Sequence, residues 1–397
     1  MSISRRDVIV RGGAFTAAGY RRVSGANDRI RVAVIGSGGR GLHVSRLFAA
    51  NADAQITAVC DVYRPRAESL QAVHAGSELF SDHRALLDKA GCDAVLITTP
   101  DHWHVPVGVD ALNAGKDVYI EKPLTLRTEE GPLIIKAARD RKRMCQVGMQ
   151  RRSSAVWRSV KEQIIDTGKL GKVTLVRTWW HGNAVHLLRA PEELRTKPDT
   201  LDWDRFVGPL KKRPYDPQQF YSWRAYLDYG GGMITDLFTH LLDASHMLLG
   251  IDSPVAAVAS GGVYHYKQDR TAPDTITAAL EYPDQMTMTF DGTLVPGAAG
   301  VGVIVYGTGG RLEMAGTPTF VGISQQPEVI PVVRPERPPG VIDGETFLHV
   351  RNFLDCMRTR KLPNGDVEIG HRSAAASHLA TQAYIQKKRI TLAQRTA

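Results

Sequence analysis

Apolar and polar positions change rhythm once along the chain, near residue 150. Before it, Ile30 to Ile35, Ile56 to Cys60, Ala94 to Thr98 and Val118 to Ile120 are short continuous apolar runs, the pattern of strands buried on both faces. Stretches of helical spacing separate them, at His43 to Ala50, Arg66 to Val73, Arg84 to Ala90 and Val107 to Ala114. Strands alternating with helices predict a parallel sheet covered on both sides. After a helix from Ser153 to Asp166, strand-like runs come closer together: Lys172 to Trp180, Val255 to Tyr264, Thr275 to Tyr282, Met286 to Leu294, Gly302 to Tyr306 and Arg311 to Met314. Several alternate apolar with polar residues, as in Met286-Thr287-Met288-Thr289-Phe290, which predicts an open, mostly antiparallel sheet with one face buried. The proline-rich stretch from Gln326 to Gly340 reads as an extended loop, and helices at Thr346 to Arg360 and His371 to Lys387 follow.

The pattern predicts an α/β protein. Its 397 residues exceed the ~250 to 300 at which single cores stop growing, so two domains are expected. Their bounds are a first α/β domain over 28–150, a second over 151–345, and C-terminal helices over 346–397 packing back on both. With 43% hydrophobic and 23% charged residues the composition is ordinary globular, against disordered or collagenous classes. No run approaches the ~20 apolar residues of a membrane span. Of the formal charge of +9, five arginines against Asp7 put +4 in the first 22 residues. The weakly basic remainder gives no reason to expect nucleic acid as a partner. Cys60, Cys92, Cys145 and Cys356 form no CxxC pair and read as buried thiols.

Residues 1–27 are set aside before fold reasoning. Ser4-Arg5-Arg6-Asp7-Val8-Ile9 ahead of a glycine-interrupted apolar stretch resembles a twin-arginine export signal; a disordered basic tail is the alternative. The first places the protein in the periplasm, the second leaves it in the cytoplasm.

The candidate chemistry sits at strand ends. Gly36-Ser37-Gly38-Gly39-Arg40-Gly41 fits GxGxxG between a strand and a helix, with Asp61 at the end of the second strand. Gly36 permits the tight turn, Gly38 the approach of a pyrophosphate to the helix N-terminus, and Gly41 close helix–strand packing. Asp61 would accept both ribose hydroxyls and repel a 2′-phosphate, so NAD is expected, with Arg64 and Arg66 keeping NADP as the alternative. Thr99, Pro100 and His104 follow the third run and would border the nicotinamide half; no metal site is expected, since His102 and His104 lack a third ligand nearby. Glu121-Lys122-Pro123 follows Val118 to Ile120, where a lysine can hold a substrate hydroxyl and steady an alkoxide. After Gly230-Gly231-Gly232, Asp236 and His240 stand at i and i+4 of a predicted helix, a carboxylate beside an imidazole suited to general-base work. Arg152, His181, Asn183, His186 and Arg224 are polar candidates for substrate recognition, and Trp223 is one of five tryptophans in the first half of the second domain that could stack on a sugar face.

From about Asp28 onward these motifs together resemble the Gfo/Idh/MocA family, named for glucose-fructose oxidoreductase and inositol dehydrogenase. The resemblance runs through the glycine loop, Thr99-Pro100 with His104, Glu121-Lys122-Pro123, the triple glycine with Asp236, His240 and Asp243, and Gly307 to Glu313. It implies a Rossmann domain plus an open α/β sheet domain that also forms a homo-oligomer interface, as a dimer or tetramer. It implies catalysis by a lysine, an aspartate and a histidine, which fall on Lys122, Asp236 and His240. Glu121, Gly39 and Arg40 join the expected cofactor site. The expected function is NAD(P)-dependent hydride transfer with a secondary alcohol of a sugar, polyol or glycoside. Two alternatives are an NAD-dependent glycoside hydrolase working through transient oxidation and a non-catalytic NAD-binding regulatory protein.

Overall fold

The computed structural model describes residues 28–267, 270–295 and 297–392. The expected export signal lies outside the described residues.

Six short strands build the first sheet: β1 (Ile30–Ile35), β2 (Ala54–Cys60), β3 (Glu78–Phe80), β4 (Ala94–Ile97), β5 (Asp117–Ile120) and β6 (Cys145–Val147). Their order is β3-β2-β1-β4-β5-β6 and every pairing is parallel. The order reverses direction at β1, which opens a crevice between the loops after β1 and β4. Strand alternation sends Val32 and Val34 to one core and Ala33 and Ile35 to the other, so both faces of β1 are apolar. Strands β3 and β6 were not legible as apolar runs. Each has only three residues, and Glu78 and Leu79 of β3 are exposed.

The second sheet has nine strands. They are β7 (Val173–His181), β8 (Ala256–Gly262), β9 (Thr275–Tyr282), β10 (Met286–Thr293), β11 (Gly300–Gly307), β12 (Gly310–Glu313), β13 (Thr319–Gly322), β14 (Glu328–Val329) and β15 (Ile390–Thr391). In the order β14-β13-β12-β11-β7-β10-β9-β8-β15 every pairing is antiparallel except that of β7 with β10, so the sheet is mixed. Alternation along β10 buries Met286, Met288 and Phe290 against the helix Thr239–Leu249, while Thr287, Thr289 and Asp291 lie on the other face.

The C-terminal helices tie the two sheets together. Gly344–Thr359 packs on Gly39–Ala49, where Phe48, Tyr119 and Phe353 meet edge to face with ring centroids 5.6 to 6.1 Å apart. Arg351 clamps Asp53 through contacts of 2.6 and 3.1 Å. Val367–Gln386 contacts β6 on one side and β8 on the other.

Phe353→Ala removes a buried ring at the centre of that trio. It is expected to lower the unfolding free energy by about 3 to 5 kcal/mol, read as a drop in the urea midpoint at unchanged slope.

Candidate active site

The loop after β1 narrows because it has no side chains where the backbones meet. A Cβ on Gly36, which has φ +96°, would come within 2.7 Å of the Thr98 backbone, and one on Gly41 within 2.1 Å of the Gly36 carbonyl. Gly38 and Gly39 face open space on that side. The 11-residue helix from Gly39 begins without a side-chain cap, so its first N–H groups are free for an anion. The Ser37 hydroxyl and Arg40 Nη2 are buried without a partner. Asp61 accepts the Ser37 amide at 2.7 Å and the Tyr63 amide at 2.9 Å, which leaves lone pairs on both oxygens. An open pocket runs past Gly36, Gly38, Asp61, Thr99, Pro100 and Trp223. These residues fit a dinucleotide: the pyrophosphate on the bare helix start, the ribose at Asp61. Arg64, by contrast, is exposed and paired with Glu68. Arg66 lies over the Phe220 ring at 4.6 Å.

Three other expected cofactor residues are held inside the scaffold. Glu121 is buried and paired with Arg40 at 2.9 Å, so each occupies the other's charge. The buried His104 ring lies 2.6 Å from the Pro123 carbonyl and 3.0 Å from that of Thr99. Its pKa is pushed down to about 4 by burial. It fixes the β4 and β5 loops to each other and does not line the pocket.

The loop after β5 delivers Lys122 to the second sheet's side of the crevice. Its ammonium donates to the Asp236 carbonyl at 2.6 Å and to Asp236 Oδ1 at 2.5 Å. The regular helix expected at Asp236 is instead a wider turn of π type over Ile234–Phe238. Among the described residues no hydrogen bond joins Asp236 to His240, so the i,i+4 carboxylate–imidazole pair is corrected: the carboxylate turns to Lys122 and, through Oδ2, to His186 at 2.8 Å and Arg224 at 3.4 Å. Burial would raise the Asp236 pKa, but Lys122, Arg224 and the His186 N–H outweigh it and hold the carboxyl well below its usual range. The half-buried His240 stands 5.9 Å from the Trp180 ring. Burial, with Lys122, Arg151 and Arg40 nearby, keeps it well below the usual histidine pKa and therefore neutral. Asp101 goes the other way: burial and the negative charge of Asp236 push it well above the carboxylate range. Gly230 makes room for it, since a Cβ there would lie 3.0 Å from both Asp101 Oδ2 and the Trp223 ring.

The expected substrate residues divide. Arg224 stacks on Trp223 at 4.1 Å and belongs to the cluster. Arg152 does not: its Nε donates to both oxygens of buried Asp243, at 2.8 and 2.9 Å, and Ser373 completes that pair. Asn183 caps the turn Ala184–Leu187 by accepting the Val185 amide. His181 ends β7 one position after Trp180, so alternation turns it to the opposite face. Sequence reasoning missed Arg151, which lies over the Trp157 and Trp180 rings at 5.7 and 5.8 Å; its one signal was adjacency to Arg152. Asp101 lies in the loop after β4 that the sequence places beside the nicotinamide half. No group of three His, Cys, Asp or Glu side chains able to hold a metal occurs among the described residues.

One segment crosses the crevice from outside. Leu201 bridges Tyr63, Asp202 N donates to Val62 O at 2.9 Å, and Trp103 Nε1 donates to the Arg205 carbonyl at 2.9 Å.

Comparison with known proteins decides the family. The oxidoreductase-family model for the NAD-binding Rossmann fold matches residues 30–149, and that for the C-terminal α/β domain matches 209–392. The chain belongs to the Gfo/Idh/MocA oxidoreductase family. It is 25% identical over 346 residues to the scyllo-inositol 2-dehydrogenase (NAD(+)) of Bacillus subtilis, covering 84% of this chain and 88% of that one. It is 33% identical over 162 residues to the inositol 2-dehydrogenase of Rubrobacter xylanophilus, covering 40% and 46%. In fold it resembles a levoglucosan dehydrogenase solved with NADH and levoglucosan, with a TM-score of 0.72 and 19% identity over 92% of this chain and all of that one. The WlbA dehydrogenase of Bordetella pertussis, solved with NADH and UDP-GlcNAcA, gives 0.70 and 20% over 92% and 99%. As a Gfo/Idh/MocA member the chain is an NAD-dependent oxidoreductase, and that family's two parts supply its crevice from either side.

Asp236→Asn keeps the shape but leaves Lys122 facing a neutral amide. At pH 7 it is expected to destabilise the protein by about 3 kcal/mol. Because the folded pKa of Asp236 lies below its unfolded value of about 3.9, its stabilisation is full above that value and is lost as pH falls through the folded pKa. The difference in urea midpoint between wild type and variant should therefore be widest near neutrality and shrink below about pH 4.

Proposed function

We propose that this Gfo/Idh/MocA member oxidises a secondary alcohol of a sugar or polyol at the cluster formed by Lys122, Asp236 and His240. The observation that carries this reading is the convergence of Lys122, from the end of a first-sheet strand, with Asp236 and its neighbour His240, from the wide turn and helix packed on the second sheet. The cluster joins the dinucleotide pocket through Arg224, which reaches Asp236 and stacks on the pocket-lining Trp223. Bound NAD supplies the hydride acceptor. The neutral His240 imidazole takes the hydroxyl proton, since only the unprotonated ring can act as a base. The Lys122 ammonium donates a hydrogen bond to the substrate oxygen as it gains negative charge. Asp236 stays ionised and fixes the position of Lys122. Asp61 accepts from the ribose hydroxyls, and its charge opposes a 2′-phosphate. Trp180, Trp223 and Arg224 offer flat surfaces and N–H donors to a polyhydroxylated ring, which suits the sugar and inositol substrates named for the relatives. A homo-oligomer is supported by the outer face of the nine-stranded sheet, where Leu175, Ile304 and Tyr306 are only half-buried.

A panel of inositols, hexoses, uronates and glycosides with NAD, followed at the NADH absorbance, tests the reading. Net NADH with at least one alcohol is expected. Lys122→Met and His240→Asn should each lower kcat roughly a thousandfold, in the range of a lost acid–base or charge-stabilising group. Their NAD affinity, measured by fluorescence, should stay near wild type. Full activity in either variant would remove that residue from the mechanism, and glycoside cleavage at constant NADH would replace the reaction.

A further inference from the structure

The turn Ala184–Leu187 reaches the site from the segment after β7. Asn183 caps it, and Arg270 Nη2 holds the His186 carbonyl at 3.1 Å. This fixes the His186 backbone from two sides. Its side chain is buried, with 2% exposure, and Nε2 lies 2.8 Å from Asp236 Oδ2. Asp236 is ionised, so Nε2 must carry the hydrogen and donate. The carboxylate is thereby held at both ends, by the Lys122 ammonium on Oδ1 and by the His186 N–H on Oδ2, with Arg224 behind at 3.4 Å. Without the His186 N–H, Oδ2 would keep only the longer Arg224 contact and the carboxylate could turn about χ2, loosening the side-chain half of the Lys122 anchorage while the Asp236 carbonyl keeps the other half.

We propose that His186 is a positioning residue for the hydride-transfer reaction: it locks the Asp236 carboxylate so that Lys122 is held where the substrate oxygen arrives. The inference rests on the reading of Lys122 and His240 given above and adds a fourth member to it. His186 touches neither reacting atom in this scheme and acts through Asp236. The charged and titratable groups facing Asp236 are Lys122, Arg224, His186, Asp101 and His240, and those facing His186 are Asp236, Arg224 and Arg270. Of these, His186 alone can be exchanged for a neutral donor of similar reach: in glutamine the amide nitrogen stands close to the place of Nε2.

The experiment compares His186→Ala with His186→Gln in the full chain, using the alcohol that the panel identifies and scyllo-inositol first. In His186→Ala, kcat should fall about 10- to 100-fold, the loss expected for a hydrogen bond to a charged group. The KM for NAD should stay within about twofold, because the dinucleotide loop is untouched. With one donor gone the Asp236 pKa rises, so on the acid side of the urea-midpoint profile its protonation should set in at higher pH. His186→Gln should restore most of kcat and return that acid-side onset to its wild-type position. Equal damage in both variants with an unmoved pH profile, or wild-type kcat in His186→Ala, would overturn the proposal. A turnover-free check is the urea double-mutant cycle of His186→Ala with Asp236→Asn, where non-additive effects are expected and strict additivity counts against it. Absence of NADH from every alcohol with wild type would defeat the proposed function, while the cycle would still decide whether His186 and Asp236 are coupled.

Discussion

The Asp236 carboxylate is the contact on which the site depends. It lies in a crevice where an unpaired charge would be costly, and three separate parts of the chain neutralise it: Lys122 after β5, His186 in the turn after β7, and Arg224 in the segment before the triple glycine. None of the three is a sequence neighbour of Asp236. The carboxylate can be buried only when the two sheets are docked with the intervening segment in place, and Lys122 is oriented by the same event. Folding and the assembly of the charged site are therefore one process.

That dependence explains the opposed proton affinities in so small a region. Asp236 is held ionised by its cations, whereas in Asp101, close by, burial and the charge of Asp236 itself outweigh the same Arg224 and Lys122 and drive it toward its protonated form. His240 lies among Lys122, Arg151 and Arg40 and is kept neutral. A site with one fixed anion, one fixed cation and one neutral base suits removal of a hydroxyl proton beside a hydride acceptor. The wide turn at Ile234–Phe238 separates these roles by aiming Asp236 at Lys122 and leaving His240 against Trp180.

Much of this architecture could be read from residue types alone. The strand β1 and the glycine loop are local features, since a β-branched apolar run followed by GxGxxG leaves the backbone few options, and the loop's contact with Asp61 follows from their placement at adjacent strand ends. The strands of the second sheet were legible by alternation, though the parallel pairing of β7 with β10 was not, because period-2 alternation carries no strand direction. At the site, Lys122 and Asp236 were legible as motif members, but their partners were not. Arg152 and Arg151 are adjacent arginines with the same propensities, and only the buried Asp243 determines which one is consumed in the scaffold. His186 read as one polar residue among several in a loop, since nothing local announces a bond to a residue 50 positions away.

The segment that crosses the crevice has a thermodynamic consequence. The pocket wall is made jointly by the glycine loop, Asp61 and Val62 on one side and Arg205, Phe206, Phe220 and Trp223 on the other, stretches of chain well over a hundred positions apart. A dinucleotide seated between them touches both and favours only the conformations in which they stay together. By linkage, such a ligand acts as a fastener: its binding free energy adds to the cohesion of the two sheets, and whatever loosens their union weakens the grip on the cofactor by the same amount.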